Sequence, residues 1–194
     1  MSATKTGRFA LASAALAGAS ACVAVVEPPL ARDGFVEVLV VDEACHKGLV
    51  LPGAAGELVE WGFGHHGWYA LEHNRWYHVP GTVLWPGDGA LSRRAWGADE
   101  RARRAPRDVV AFRADPELVR RLGEELEREF DRARESLHHS EAWQTDFVRS
   151  GERYWIFHDC HDATASWLED LGCRVEPALV RLGLRFRVPR TMRD

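Results

Sequence analysis

The chain has 194 residues, 46% of them apolar and 28% charged, with a formal net charge of −4. That length holds one domain with a real hydrophobic core and little more. The charge is mildly acidic and nowhere gathered into a basic block, which excludes nucleic acid as the main partner.

Residues 1–22 read as a signal peptide outside the fold. Lys5 and Arg8 make a basic start, and Phe9 to Ala17 is apolar but too short to span a bilayer. Gly18-Ala19-Ser20-Ala21 and Cys22 follow. Two cleavage sites compete: a plain small-x-small site at Ala19-Ser20-Ala21, or a lipoprotein site with Cys22 as the lipidated first residue. The second is preferred. It implies a protein of the periplasm or cell envelope, held to the membrane through Cys22.

Residues 23–33, with Pro28-Pro29 and Asp33-Gly34, read as a tether, and residues 34–194 as a single domain. Phe35 to Val41 is a valine-rich apolar run, the mark of a buried strand. Asp42 to Gly48 is a turn or bulge, and Leu49 to Pro52 a second strand. Leu58 to Phe63 is a third. Gly62-Phe63-Gly64-His65-His66-Gly67 fits G-x-G-x-x-G, but a dinucleotide site needs an acid at the end of the next strand. Asp88, the next acid but one, sits in a Pro-Gly-Asp-Gly turn. These glycines are therefore expected to be turn residues. Trp68 to Tyr77 is expected to be one short helix, and residues 80–107 an irregular segment. Five of the eight tryptophans fall between Trp61 and Trp96, where they serve as core and loop staples.

Asp115-Pro116-Glu117 is a helix start, with a capping acid and proline in the first turn. Leu118, Leu122, Leu126, Phe130 and Leu137 make its apolar stripe, with charge pairs opposite. Residues 140–151 are expected to connect it to an aromatic run, Arg153 to Phe157. A helix opening at Cys160 ends before Gly172, and Leu184 to Val188 is a last strand. His65, His66, His138 and His139 are expected at the surface.

Cys160 carries the chemistry. A thiol on the first turn of a helix meets unpaired N–H groups and the positive end of the dipole, and both favour the thiolate. Ala163, Thr164, Trp167, Leu168 and Leu171 share its face, so it ends a buried stripe. The same N–H groups are placed to stabilise an oxyanion. A nucleophilic thiol also needs a histidine base held by a third group. Asp159 either raises the thiol pKa by its charge or caps the helix. Cys45 is structural or a disulfide partner of Cys173.

Val36 to Val41, then Cys45-His46-Lys47-Gly48-Leu49-Val50-Leu51-Pro52, then Val59-Glu60-Trp61-Gly62-Phe63-Gly64, then Asp159-Cys160-His161 with Trp167, resemble a family of exported bacterial proteins. That family is related to the circularly permuted NlpC-type, papain-like cysteine hydrolases and acyltransferases. The resemblance covers about residues 35–175, with a variable middle. It implies an α+β fold in which an antiparallel sheet packs against the Cys160 helix. It makes Cys160 the nucleophile and His46 the base, with Glu60 the orienting group and Asp159 and His161 secondary candidates.

The expectation is an exported thiol-dependent hydrolase or acyltransferase acting on cell-wall peptide or lipid acyl groups. It needs no cofactor or metal. Two rivals stand beside it. One is a non-catalytic envelope scaffold with the same fold. The other is a zinc lipoprotein using His158, Cys160, His161 and His46, although that spacing matches no usual zinc site.

Overall fold

The computed structural model describes residues 22–43, 46–53, 55–97, 109–178 and 180–187. The expectations for residues 1–21, for Cys45 and for 98–107 lie outside them. The class is α+β, mostly sheet.

The valine-rich run forms β2 (Val36–Glu43), the His46 stretch β3 (His46–Pro52), and the Glu60 stretch β4 (Leu58–His65). They pair as an antiparallel meander, with Leu49 opposite Val40 and Trp61 opposite Leu49. Leu49, Val50 and Leu51 are all essentially inaccessible. Both faces of the meander are therefore covered, which is why its strands read as continuous apolar runs.

Four further strands correct the sequence reading or extend it. β5 (Gly87–Trp96) runs through the segment expected to be irregular, and β6 (Val109–Ala114) forms an edge. β8 (Thr145–Tyr154) runs through most of the expected connector, and β7 (His138–Ser140) ends where that connector was expected to begin. Among the described residues the main sheet thus has seven strands in the order β6-β2-β3-β4-β5-β8-β7, every neighbouring pair antiparallel. The turn-like Pro86-Gly87-Asp88-Gly89 and the pair Arg93-Arg94 disguise β5. Tertiary partners accommodate the arginines. Arg94 meets Glu60, and Arg93 bonds Glu127 at 3.0 Å and lies over the Trp61 ring at 5.9 Å.

Gly62 and Gly64 are strand residues rather than turn residues. A Cβ at Gly62 would stand 2.6 Å from both His46 Nε2 and Ser92 Oγ, and one at Gly64 2.5 Å from the Tyr69 ring. These glycines make room for side chains that lie across the sheet.

The expected 68–77 helix shrinks to α1 (His66–Tyr69). A 3₁₀ turn follows at Trp76–His78, and then α2 (Val79–Leu84). His66 is buried, not superficial. α3 (Pro116–Arg132) is capped by Asp115, whose side chain accepts from Glu117 N–H, and buries Val119, Leu122, Leu126 and Phe130. It stops short of Leu137, which the sequence reading placed on its apolar stripe and which is exposed.

α4 (Cys160–Asp170) is followed by Gly172 at φ +82°, the left-handed position a glycine fills without strain. A second sheet is built from β1 (Val23–Glu27), β9 (Arg174–Val175) and β10 (Gly183–Phe186), with β1 in the middle. α4 lies between it and the main sheet. The expected tether is thus structural: Ala24 and Val26 join one core with Ala165, Leu168 and Leu171 of the α4 region. Its alternating small and valine residues, too few to stand out alone, become a strand because two others flank them.

Candidate functional site

Two groups of the expected site residues emerge, on different sides of the main sheet. Strand register decides this. Leu49, Trp61, Leu91 and Val148 form the core beneath α3 and α4. Their neighbours in sequence point the other way, and among the residues of that second face are His46, Glu60, Gly62 and Ser92. There His46, Glu60, Tyr69, Ser92, Arg94, Trp143, Thr145 and Phe147 line a small pocket with about 30 Å³ of space for water-sized groups. The His46 ring lies 5.4 Å from Tyr69.

Glu60 is buried, and its Oε2 accepts from Arg94 at 2.5 Å and from Trp96 Nε1 at 2.5 Å. A Cβ at Gly48 would come 2.6 Å from Glu60 Oε1, so the Gly48–Gly62 cross-strand pair clears the space for both His46 and Glu60. Glu60 neutralises an arginine brought in by β5. That partnership joins residues 34 positions apart, which no local signal reveals.

The second group is the first turn of α4. Asp159 is the N-cap: its Oδ1 accepts from the N–H groups of His161 (2.7 Å) and Asp162 (3.2 Å). Asp162 Oδ2 accepts in return from Asp159 N–H at 3.2 Å, completing a capping box. Asp162 also holds Arg181 at 2.6 Å. Asp159 therefore caps the helix, one of the two roles expected of it. In doing so it occupies two of the N–H groups that the sequence reading assigned to an oxyanion.

Cys160 is 2% exposed. Its Sγ lies 3.7 Å from Nδ1 of His161, and the same Nδ1 lies 3.3 and 3.4 Å from the Asp159 carboxylate oxygens. Burial pushes the His161 pKa down. The hydrogen bonds with Asp159 and Cys160, and the charges on both, outweigh it and hold the imidazole at about 9. At neutral pH His161 is an imidazolium wedged between a carboxylate and a sulfur. The adjacent pair Cys160-His161, ranked second to His46 from the sequence, is thus a close sulfur–imidazole contact.

One ligand atom each from Asp159, Cys160 and His161 falls within 4.8 Å of the others. His158, proposed from sequence to join such a set, instead pairs through Nε2 with Glu152. Cys22, Cys160 and Cys173 are in no disulfide. Of the two roles considered for Cys45, the one that paired it with Cys173 is not made: Cys173 is a free thiol, which burial pushes up to about 12.

No family model, curated protein or solved structure matches the chain. Its class rests on the fold and the site alone: an α+β protein with a Cys–His–Asp cluster at the start of a helix that buries one face.

Proposed function

We propose that this protein is an exported thiol-dependent acyl enzyme, a hydrolase or acyltransferase, built on a permuted papain-like core. Cys160 is its nucleophile. The observation that carries the reading is the sulfur of Cys160 on the first turn of α4, 3.7 Å from an imidazole whose pKa stands at about 9. An imidazolium beside a thiol favours the thiolate, the reactive form.

In this reading the Cys160 thiolate attacks an amide or ester carbonyl, and the carbonyl π pair moves to oxygen. Collapse of that adduct expels the amine or alkoxide, which takes its proton from His161. Water or another acceptor, deprotonated by the now neutral His161, attacks the thioester. The thiolate leaves and His161 is again an imidazolium. Asp159 keeps the imidazole oriented. Cell-wall peptides and lipid acyl groups both supply such carbonyls. His46, the base expected from sequence, and Glu60, its expected orienting group, shape the pocket on the opposite face of the sheet.

One observation favours a second reading, a metal site: three different ligand atoms within 4.8 Å. Against it, Asp159 Oδ1 is already engaged by two backbone N–H groups. Zinc content of untagged protein decides; the thiol reading expects none at stoichiometric level.

The test is the rate of Cys160 alkylation by iodoacetamide at neutral pH, read by mass spectrometry. The wild type should react faster than a free cysteine. His161→Gln should slow the reaction, and His46→Ala should slow it less. A wild-type Cys160 no more reactive than a free cysteine overturns the reading and leaves an envelope binding domain.

A further inference from the structure

α2 is an anomaly. Val79-Pro80-Gly81-Thr82-Val83-Leu84 and the following Trp85-Pro86 carry no charge. An apolar helix in a globular protein normally buries its apolar face, yet α2 buries no residue. Trp85 is 73% exposed, Leu84 57%, Tyr77 53% and Val79 42%. A second apolar element adjoins it. Ile156 N–H donates to Val83 O at 2.9 Å, which brings the Trp155–His158 turn against α2. That turn carries Phe157, 47% exposed and 4.9 Å from the Trp155 ring. Cys160 is three residues further on.

We propose that this face, formed by Tyr77, Val79, Leu84, Trp85 and Phe157, docks on the surface of a lipid bilayer and holds the start of α4 against it. The proposal rests in part on reading residues 1–22 as a lipoprotein signal. Three observations point to a bilayer.

The first is where the described chain begins. Cys22 O accepts from Leu182 N–H at 2.7 Å, and the adjacent Arg181 holds Asp162, on the first turn of α4. Cys22 therefore lies on the side of the molecule that carries the start of α4.

The second is the absence of a tether. Val23–Glu27 is the middle strand of a sheet, so an anchor at Cys22 presses the domain to the membrane instead of letting it float. One acyl chain alone binds a bilayer marginally and reversibly, and stable attachment takes a second signal. The uncharged face provides one.

The third is its make-up. Tryptophan and tyrosine with aliphatic neighbours, on an exposed helix without charge, suit the headgroup boundary, where one end of the ring is apolar and the other wet; Arg153, which donates to Pro86 O beside that helix, suits the anionic headgroups.

The experiment uses the full chain and vesicles of phosphatidylcholine, alone and mixed with phosphatidylglycerol. Both wild type and the double variant L84S/W85S keep residues 1–22, so the difference between them isolates the face. Circular dichroism checks that both are folded. The double variant should bind vesicles at least tenfold more weakly, the effect expected when even part of the apolar surface of two large side chains no longer enters an apolar phase. Lipids brominated on the acyl chain should quench the wild-type tryptophan emission, and Trp85→Phe should lose most of that quenching. Equal partitioning of wild type and double variant overturns the proposal. So does a double variant that loses self-association while its vesicle binding is unchanged, which makes the face a protein interface. Cys160 alkylation is measured on the same samples. If Cys160 is an ordinary thiol while L84S/W85S still weakens vesicle binding, the docking face stands and the acyl chemistry falls.

Discussion

His161→Gln gives a stability change whose sign and size follow from the site. The imidazole has a pKa of about 9 in the folded protein and about 6.5 in an unfolded chain. A group whose folded pKa is raised contributes stability that is complete below the unfolded value. That contribution is lost as pH climbs through the folded one. The full effect is about 3 kcal/mol as an upper bound, of which about 2 kcal/mol disappears between about pH 6 and about pH 8.5. Urea unfolding at those two pH values measures it. The comparison is made between Cys160→Ala and the double variant C160A/H161Q, because in the wild type a thiolate formed beside the imidazolium releases a proton on folding and offsets the one His161 takes up. His65 and His66, whose pKa values burial lowers, and Cys173 cancel in that difference. The glutamine of the double variant retains an amide that can donate to Asp159. Cys160→Ala should lose up to about 2 kcal/mol more than the double variant over this interval. An equal pH dependence in the two proteins refutes the account of His161 as an imidazolium held by Asp159.

Three further outcomes follow from the same geometry. Glu60→Ala removes the buried carboxylate that accepts from Arg94 and from the Trp96 indole N–H and should cost about 3–5 kcal/mol in urea unfolding, whereas Glu60→Gln, which keeps an acceptor, should cost less. Gly62→Ala places a Cβ on the His46 ring and Ser92; it should destabilise by about 1–3 kcal/mol and shift the His46 ring signals in NMR, with Cys160 alkylation little changed. Cys173, buried and pushed up to about 12, should resist iodoacetamide in the native protein at about pH 8 and react once urea unfolds it. Rapid native labelling of Cys173 would contradict the packing of α4 against the second sheet.

Much of this fold is written locally. β2, β3 and β4 are legible because a valine- and leucine-rich run needs no outside partner to declare itself. α3 and α4 are legible from Asp115-Pro116 and the capping acid Asp159 at their starts and Gly172 after the second. The thiol on the first turn of α4 is legible for the same reason.

What the chain does not declare are the strands whose polar residues are satisfied at long range. β5 carries Arg93 and Arg94, and only Glu127 and Glu60, more than thirty residues away, make them compatible with a central strand. β1 becomes a strand because β9 and β10 flank it. The partner of Cys160 was decided in the same way. Alternation along β3 says that His46 shares a face with Val50, not with Leu49 or Leu51. All three of those residues are buried, so no polar-to-apolar contrast marks the face that α4 covers. Tertiary packing alone put α4 on the Leu49 side. It left the His46 and Glu60 side chains on the far face and His161 beside the sulfur.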